Sequence, residues 1–102
     1  MDQHAFTLFV AGGTELASRA LTNFERLVRE RLGESCRLTV IDILQEPRRA
    51  RQHRVLATPM LVREHPTPIL RILGDLSQEE KVLAQLGLNE SEHEADHVAA
   101  EP

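Results

Sequence analysis

The side chains that could do chemistry in this chain are few and scattered. Cys36 is the only cysteine, so a two-thiol redox site and an internal disulfide are both excluded. Of the five histidines, only His93 and His97 have a helix-like i, i+4 spacing that could hold a metal. They lie in an acidic segment that we predict to be disordered, so we interpret the pair as incidental. We therefore predict no metal site and no cofactor.

A second candidate site is the loop Gly12-Gly13-Thr14-Glu15, which precedes a predicted helix. Glycines at a helix start can hold a phosphate, but the lysine and the full spacing of a P-loop are missing. The Thr14 hydroxyl can cap the helix instead, and Glu15 suits the positive end of its dipole. We interpret this loop as a turn.

Composition indicates one small domain with an acidic end. The chain has 102 residues, 41% of them hydrophobic, and three phenylalanines as its only aromatic residues, which disfavours nucleic-acid binding. Residues 1–88 contain all 12 basic and 11 acidic residues, whereas residues 89–102 contain five acids and no base. We predict a domain over 1–88 and a disordered acidic tail over 89–102, with a regulatory or solubilising role for the tail left open.

The hydropathy pattern disfavours a membrane location. No apolar segment reaches the roughly 20 residues that a membrane span requires, and the start MDQHAF lacks the features of a signal peptide. We therefore expect no membrane contact and a cytoplasmic location.

The elements that must position these residues follow from periodicity and turn signals. We predict strands where short apolar runs occur, amphipathic helices after Thr14 and Pro47, and a last helix after a Ser-x-x-Glu capping box at Ser77 to Glu80. The second strand is so uniformly apolar that we predict it to be central in the sheet and parallel to the first. The predicted strands are Phe6–Ala11, Arg37–Leu44, Met60–Arg63 and Ile69–Leu73; the predicted helices run from Thr14 to Leu32, from Pro47, and over Val82–Leu86.

The order β-α-β-α-β-β-α, with Thr58-Pro59 before the third strand, is the plan of the thioredoxin-like fold. In that fold this X-Pro bond is cis, so we predict a cis Thr58-Pro59 bond; a trans proline that only begins a strand is the alternative. Thioredoxins use Cys-x-x-Cys at the position of Gly12–Glu15, where this chain has no thiol.

Five motifs resemble those of the KaiB family, the small fold-switching subunits of the cyanobacterial circadian clock and their relatives in other bacteria. Leu8–Gly12 resembles LYVAG, Val40–Asp42 resembles VID, Leu56–Pro59 resembles LATP, Ile72–Ser77 resembles IIGDLS and Glu80–Leu83 resembles EKVL. The motifs extend through residues 6–88 without a gap, and as a set they are highly specific.

The resemblance implies a partner-binding protein without catalysis of its own. Members of the family are thioredoxin-like in one of two folds, and only that fold docks on the N-terminal ATPase ring of KaiC; the other fold forms a resting tetramer. A KaiA-type protein or a sensor kinase is a further candidate partner. The alternative function is a thiol-independent transferase or redox enzyme on the same fold.

Two departures from the family pattern concern the state of the chain and its partner. Gln85 and Gly87 replace a Gly and an Asp of well-studied clock members, and replacing those is known in the family to favour the thioredoxin-like fold. We therefore predict that the chain rests in that fold, as a monomer when free, with a minor tetramer left open.

The second departure is the segment after Pro47, which is acidic in the family and strongly basic here. By the resemblance, the candidate partner-binding residues are Arg19, Arg49, Arg54 and Arg63. A solvated helix side remains the alternative interpretation of the basic segment.

Overall fold

A single four-stranded sheet organises the chain. The computed structural model describes residues 3–89. The strands lie in the order β2-β1-β3-β4, with β1 parallel to β2 and antiparallel to β3, and β4 antiparallel to β3. Their bounds are β1 His4–Val10, β2 Cys36–Asp42, β3 Met60–His65 and β4 Leu70–Leu73. The predicted element order is confirmed, whereas the tail predicted to be disordered lies, from residue 90, outside the described residues.

The position of β2 in the sheet differs from the prediction. β2 is parallel to β1, as predicted, but it is an edge strand, and the central strand is β1. Residues Phe6 to Val10 of β1 are all buried, while Val40 of β2 is 43% exposed. The prediction of a central β2 is wrong because β3 pairs with the other side of β1, so that within residues 3–89 no strand pairs with the outer side of β2.

The first helical stretch begins where the sequence predicts. Thr14 accepts a hydrogen bond from the Ala17 N–H at 3.1 Å through its hydroxyl oxygen, and Gly33, with φ 59°, follows the last α-helical residue. The stretch is α1 Glu15–Phe24, a π-helical turn Glu25–Arg29 and α2 Glu30–Leu32, followed by a 3₁₀ turn Gly33–Ser35. Phe24 packs edge-on against Phe6 of β1 at 5.2 Å between ring centroids.

The two remaining helices lie on opposite faces of the sheet. α4, Glu79–Leu86, packs its buried apolar residues with α1 against one face, here called the α1/α4 face. α3, Pro47–Gln52, has proline in its first turn as predicted and lies over the smaller core formed by Phe9, Ile41, Met60 and Val62, here called the α3 face. Among residues 3–89 there is no helix with the length and apolarity that crossing a membrane requires.

The ends of α4 correct one prediction and confirm another. The capping box at Ser77 to Glu80 is not formed, because the cap residue is Gln78 and makes no side-chain cap. Ser77 instead donates its backbone N–H to the Asp75 carboxylate at 3.1 Å. At the other end, Gly87 has the left-handed φ of 74° expected of a C-cap, and Gln85 lies in the helix with its side chain exposed.

The predicted cis bond at Thr58-Pro59, just before β3, is also confirmed.

Candidate functional site

Four loops meet at one end of the sheet. β1 and β2 are parallel and end there, β3 begins there because it is antiparallel to β1, and β4 ends there. We call this the loop end; it comprises residues 11–14, 43–46, 53–59 and 74–78. The carboxyl ends of parallel strands are where α/β proteins place their functional residues, so this end is the first candidate site.

Asp42 joins the first two of these loops. One carboxylate oxygen accepts the Gly12 N–H at 3.0 Å and the Leu44 N–H at 2.9 Å. Gly12 is required there, because a Cβ at this position would overlap the Asp42 carboxylate. Thr14 closes the same turn by donating its hydroxyl proton to the Ala11 carbonyl at 2.8 Å. The Gly12 and Leu44 N–H groups and the Ala11 carbonyl are thus satisfied by side chains of this protein.

The surface around α3 combines exposed cations with exposed apolar side chains. Arg48, Arg49 and Arg51 are exposed on the helix, while Leu44 before it and Leu56 after it are 67% and 95% exposed. We call these five residues the α3 surface. Arg49 pairs with Glu46 at 3.2 Å, and for the other two arginines no ion pair forms within residues 3–89. An apolar side chain that projects into water beside a group of cations suits binding to an acidic protein surface.

The predicted binding residues are not all at this surface. Arg49 belongs to it, and Arg54 lies just after α3, exposed and with a left-handed φ of 56°. Arg19 lies on α1, on the opposite face of the sheet, and forms ion pairs with Glu15 at 3.0 Å and Asp75 at 3.6 Å. The structure therefore brings together only two of the four.

Arg63 is placed differently from a surface binding residue. It is only 8% exposed, its Nη2 donates to the Pro68 carbonyl at 2.9 Å, and its buried Nε has no partner within the described residues. It lies opposite Phe6 and Leu70, whose side chains belong to the α1/α4 face. In this fold the Arg63 guanidinium is therefore not presented to a partner.

Sequence reasoning missed Leu44 and Leu56 as surface residues. Both lie just outside the strands, at positions where a core side chain is not required. A signal was present in the sequence, since Leu44 lies four residues before Arg48 and Leu56 two residues after Arg54, so that the two leucines bracket the basic segment.

The single thiol is remote from the loop end. Cys36 begins β2 and pairs with His4, at the opposite end of the sheet from Gly12. It is 6% exposed, and burial raises the pKa of its thiol, an effect that the nearby Arg29 opposes. A protonated, buried thiol is a poor nucleophile. Within residues 3–89 no group of three or more metal-ligating side chains occurs.

Comparison with known sequences finds one family. The KaiB domain model matches residues 7–88. Circadian clock protein KaiB3 of Synechocystis sp. is 36% identical over 89 residues, covering 87% of this chain and 85% of that protein. Circadian clock oscillator protein KaiB of Microcystis aeruginosa is 40% identical over 85 residues, covering 83% and 82%.

Comparison with solved structures finds thioredoxin-like folds. The N-terminal domain of Synechococcus elongatus SasA superposes with a TM-score of 0.70 at 20% identity, covering 84% of this chain and 81% of that one. A chloroplastic thioredoxin z superposes with a TM-score of 0.66 at 20% identity, covering 84% and 80%. At such low identity these likenesses show the fold alone.

Proposed function

Because the chain belongs to the KaiB family of circadian clock proteins and has a thioredoxin-like fold, we propose that it is a non-catalytic binding protein of the N-terminal ATPase ring of a KaiC-type hexamer. The observation that supports this proposal most directly is the α3 surface. It places two exposed leucines beside three arginines at the loop end, where a thioredoxin has its reactive thiols and this chain has none.

The α3 surface has the properties of a docking site. Leu56 is 95% exposed, so nearly all of its side chain is available for burial against a partner. Burying a leucine contributes about 1.5–3 kcal/mol, while the arginines would steer an acidic partner and accelerate association. An acidic patch on the ring is therefore the complementary surface, and a cytoplasmic location is part of the same proposal.

We further propose that the free protein rests in this thioredoxin-like fold as a monomer. Two features of α4 support it: Gln85 is accommodated in the helix, and Gly87 ends the helix in the left-handed conformation. When a ring binds only this fold, no equilibrium between two folds then has to shift on binding. The apparent affinity for the ring is therefore not lowered by a small population of the binding-competent fold.

The test is binding of the full chain to a purified KaiC-type ATPase, measured by titration calorimetry. Leu56→Ser is expected to lower the affinity at least tenfold, which corresponds to about 1.4 kcal/mol. Arg49→Ala is expected to lower the association rate constant, measured separately by stopped-flow mixing, and to reduce its salt dependence. The matched control is Arg37→Ala, because Arg37 is an exposed arginine at the far end of the sheet. Equal affinities for all four proteins would contradict the proposal.

The alternative, a thiol-independent transferase or redox enzyme on the same fold, predicts catalysis that persists without Cys36, whereas an enzyme that uses the thiol predicts its loss. Cys36→Ser should leave ring binding unchanged if the protein is a binding module, whereas an activity that uses the thiol would be lost. The backbone NMR secondary structure and the rotational correlation time of the free protein test the resting state: strand content over residues 83–88 in a tetramer would contradict it.

A further inference from the structure

The outer edge of β4 is a strand edge without a neighbour. Within residues 3–89 no strand pairs with the side of β4 that faces away from β3. The sequence of this edge, Ile69 to Leu73, is apolar apart from Arg71, and Ile69 and Leu73 are 59% and 64% exposed. Open, apolar edges are templates for pairing with another strand, and proteins usually protect them.

The pattern of hydrogen bonds between β4 and β3 identifies which backbone groups of β4 are available to another strand. Gly74 donates its N–H to the Pro59 carbonyl at 2.8 Å, and Leu73 lies opposite Met60. Because bonded and non-bonded pairs alternate between antiparallel strands, Ile72 and Leu70 bond to β3. The N–H and C=O groups of Arg71 and Leu73 therefore point to the free edge.

A groove beside this edge gives an added strand a place to lie. It has a volume of about 360 Å³ and extends from β4 residues 71–74 across the loop to α4, where Lys81, Val82 and Gln85 line it. Ile72 and Val82 are both buried members of the core and give the groove an apolar side. A strand paired with β4 would thus rest against α4 on one of its faces.

The charges at this edge are positive. Arg71 and Lys81 are exposed and form no ion pair within residues 3–89; Arg71 donates only to the His53 carbonyl, at 2.9 Å. The nearby carboxylate of Asp75 is already bonded to Ser77 and paired with Arg19. Arg71 on the strand edge and Lys81 on the adjacent helix α4 complement an acidic strand, and Arg71 disfavours pairing with the same edge of a second copy of this chain.

We propose that the β4 edge is a second docking site, distinct from the α3 surface, which binds an extended acidic segment of a partner protein by adding it to the sheet as a fifth strand. Backbone hydrogen bonds to Arg71 and Leu73 hold the segment. Its acidic side chains meet Arg71 on the α3 face, and its alternate apolar side chains lie towards Ile72 and Val82.

The test uses the full chain and the peptide acetyl-Glu-Val-Glu-Val-Glu-Val-amide as probe, followed by amide hydrogen exchange in NMR. In the free protein the Arg71 and Leu73 amides should exchange rapidly and the Ile72 amide slowly. The peptide should slow exchange at Arg71 and Leu73 at least tenfold and leave the α3 amides unchanged. A peptide with Lys in place of Glu should bind more weakly.

Two variants separate the backbone and charge contributions. Leu73→Pro removes one outward N–H without removing a bond to β3, and Arg71→Gln removes the charge but keeps a donor for the His53 carbonyl. Each should lower peptide affinity at least fivefold, while the control Arg37→Gln on the opposite edge strand should not.

Other outcomes overturn the proposal. Slow exchange of the Arg71 and Leu73 amides in the free protein would mean that the edge is already covered. If the slow exchange does not depend on protein concentration, this chain's own residues 90–102 would be the cover; if it does, a second copy would be. Equal effects at β2 would mean non-specific pairing. Leu56→Ser should leave peptide binding intact, so failure here and failure of ring binding are distinguishable.

Discussion

Replacing Asp42 tests whether one carboxylate holds the loop end together. Its oxygen accepts two backbone N–H groups, from Gly12 at 3.0 Å and Leu44 at 2.9 Å. A hydrogen bond to a charged acceptor contributes about 1.5–3 kcal/mol, but both donors lie near the surface, where water can replace the carboxylate. Two such bonds would contribute about 3–6 kcal/mol if fully buried, so with water replacing part of the loss we expect Asp42→Ala to lower the free energy of unfolding by about 2 kcal/mol.

The assay is urea unfolding at neutral pH, with thermal unfolding as a second measurement. A loss of about 2 kcal/mol in a domain of this size corresponds to a decrease in Tm of roughly 8–16 °C. Asp42→Asn retains a neutral acceptor at the same position and should lose about half as much. Glu34→Ala removes an exposed carboxylate at the other end of the fold and should change stability by less than about 0.5 kcal/mol. The reasoning is refuted if Asp42→Ala behaves like Glu34→Ala.

Four further substitutions test the end of α4, an acidic turn and a buried cation. Within residues 3–89, no atom beyond the adjacent residues and the helix's own backbone lies within 4 Å of a Cβ added at Gly87. Gly87→Ala should therefore destabilise the fold by about 1 kcal/mol through its φ of 74° alone, whereas Gln85→Ala should change stability by less than about 0.5 kcal/mol. Urea unfolding of both variants checks this. Hydrogen bonds from Ser77, opposed by desolvation and assisted by Arg19, hold the pKa of Asp75 below its ordinary value of 3.8. The Asp75 carboxylate therefore stabilises the fold at neutral pH, and this contribution is lost as the pH falls through the lowered pKa. Asp75→Asn should therefore be less stable than the parent chain at neutral pH and converge with it in acid, and parallel pH curves would disprove the link. Arg63→Met removes a buried cation that has no carboxylate partner within residues 3–89. The variant should be as stable as the parent chain or more stable, and it should bind the ring equally well. A folded variant that no longer binds would restore the partner role predicted for Arg63.

The order of elements could be predicted because local signals agree with it. Thr14 and Gly33 bound the first helical stretch, Pro47 begins α3, and Gly87 ends α4. Each of these is a local backbone requirement that only a few residue types satisfy well, so it can be recognised without knowledge of the tertiary structure.

What could not be predicted depends on neighbours that are distant in sequence. β2 is apolar enough for a central strand, but the strand order depends on which strand β3 pairs with. β3 pairs with β1 and not with β2, so β1 is central. The capping box failed because Asp75 accepts the Ser77 N–H in a tight turn before the helix. The family resemblance makes Arg63 a candidate partner-binding residue, whereas its register opposite Phe6 places its side chain on the buried α1/α4 face.

The loop end supports docking better than chemistry because of how its polar groups are used. A reactive thiolate at a helix start depends on backbone N–H groups and the helix dipole for stabilisation. In this chain Asp42 accepts the Gly12 N–H and the Thr14 hydroxyl accepts the Ala17 N–H, so these donors are already engaged. The group that this end leaves exposed is an apolar side chain instead, since Leu56 is almost wholly exposed to water. Under the proposed function, recognition at this end therefore comes from side chains around α3, and Leu56→Ser should impair binding more than any substitution in the turn that leaves the fold intact.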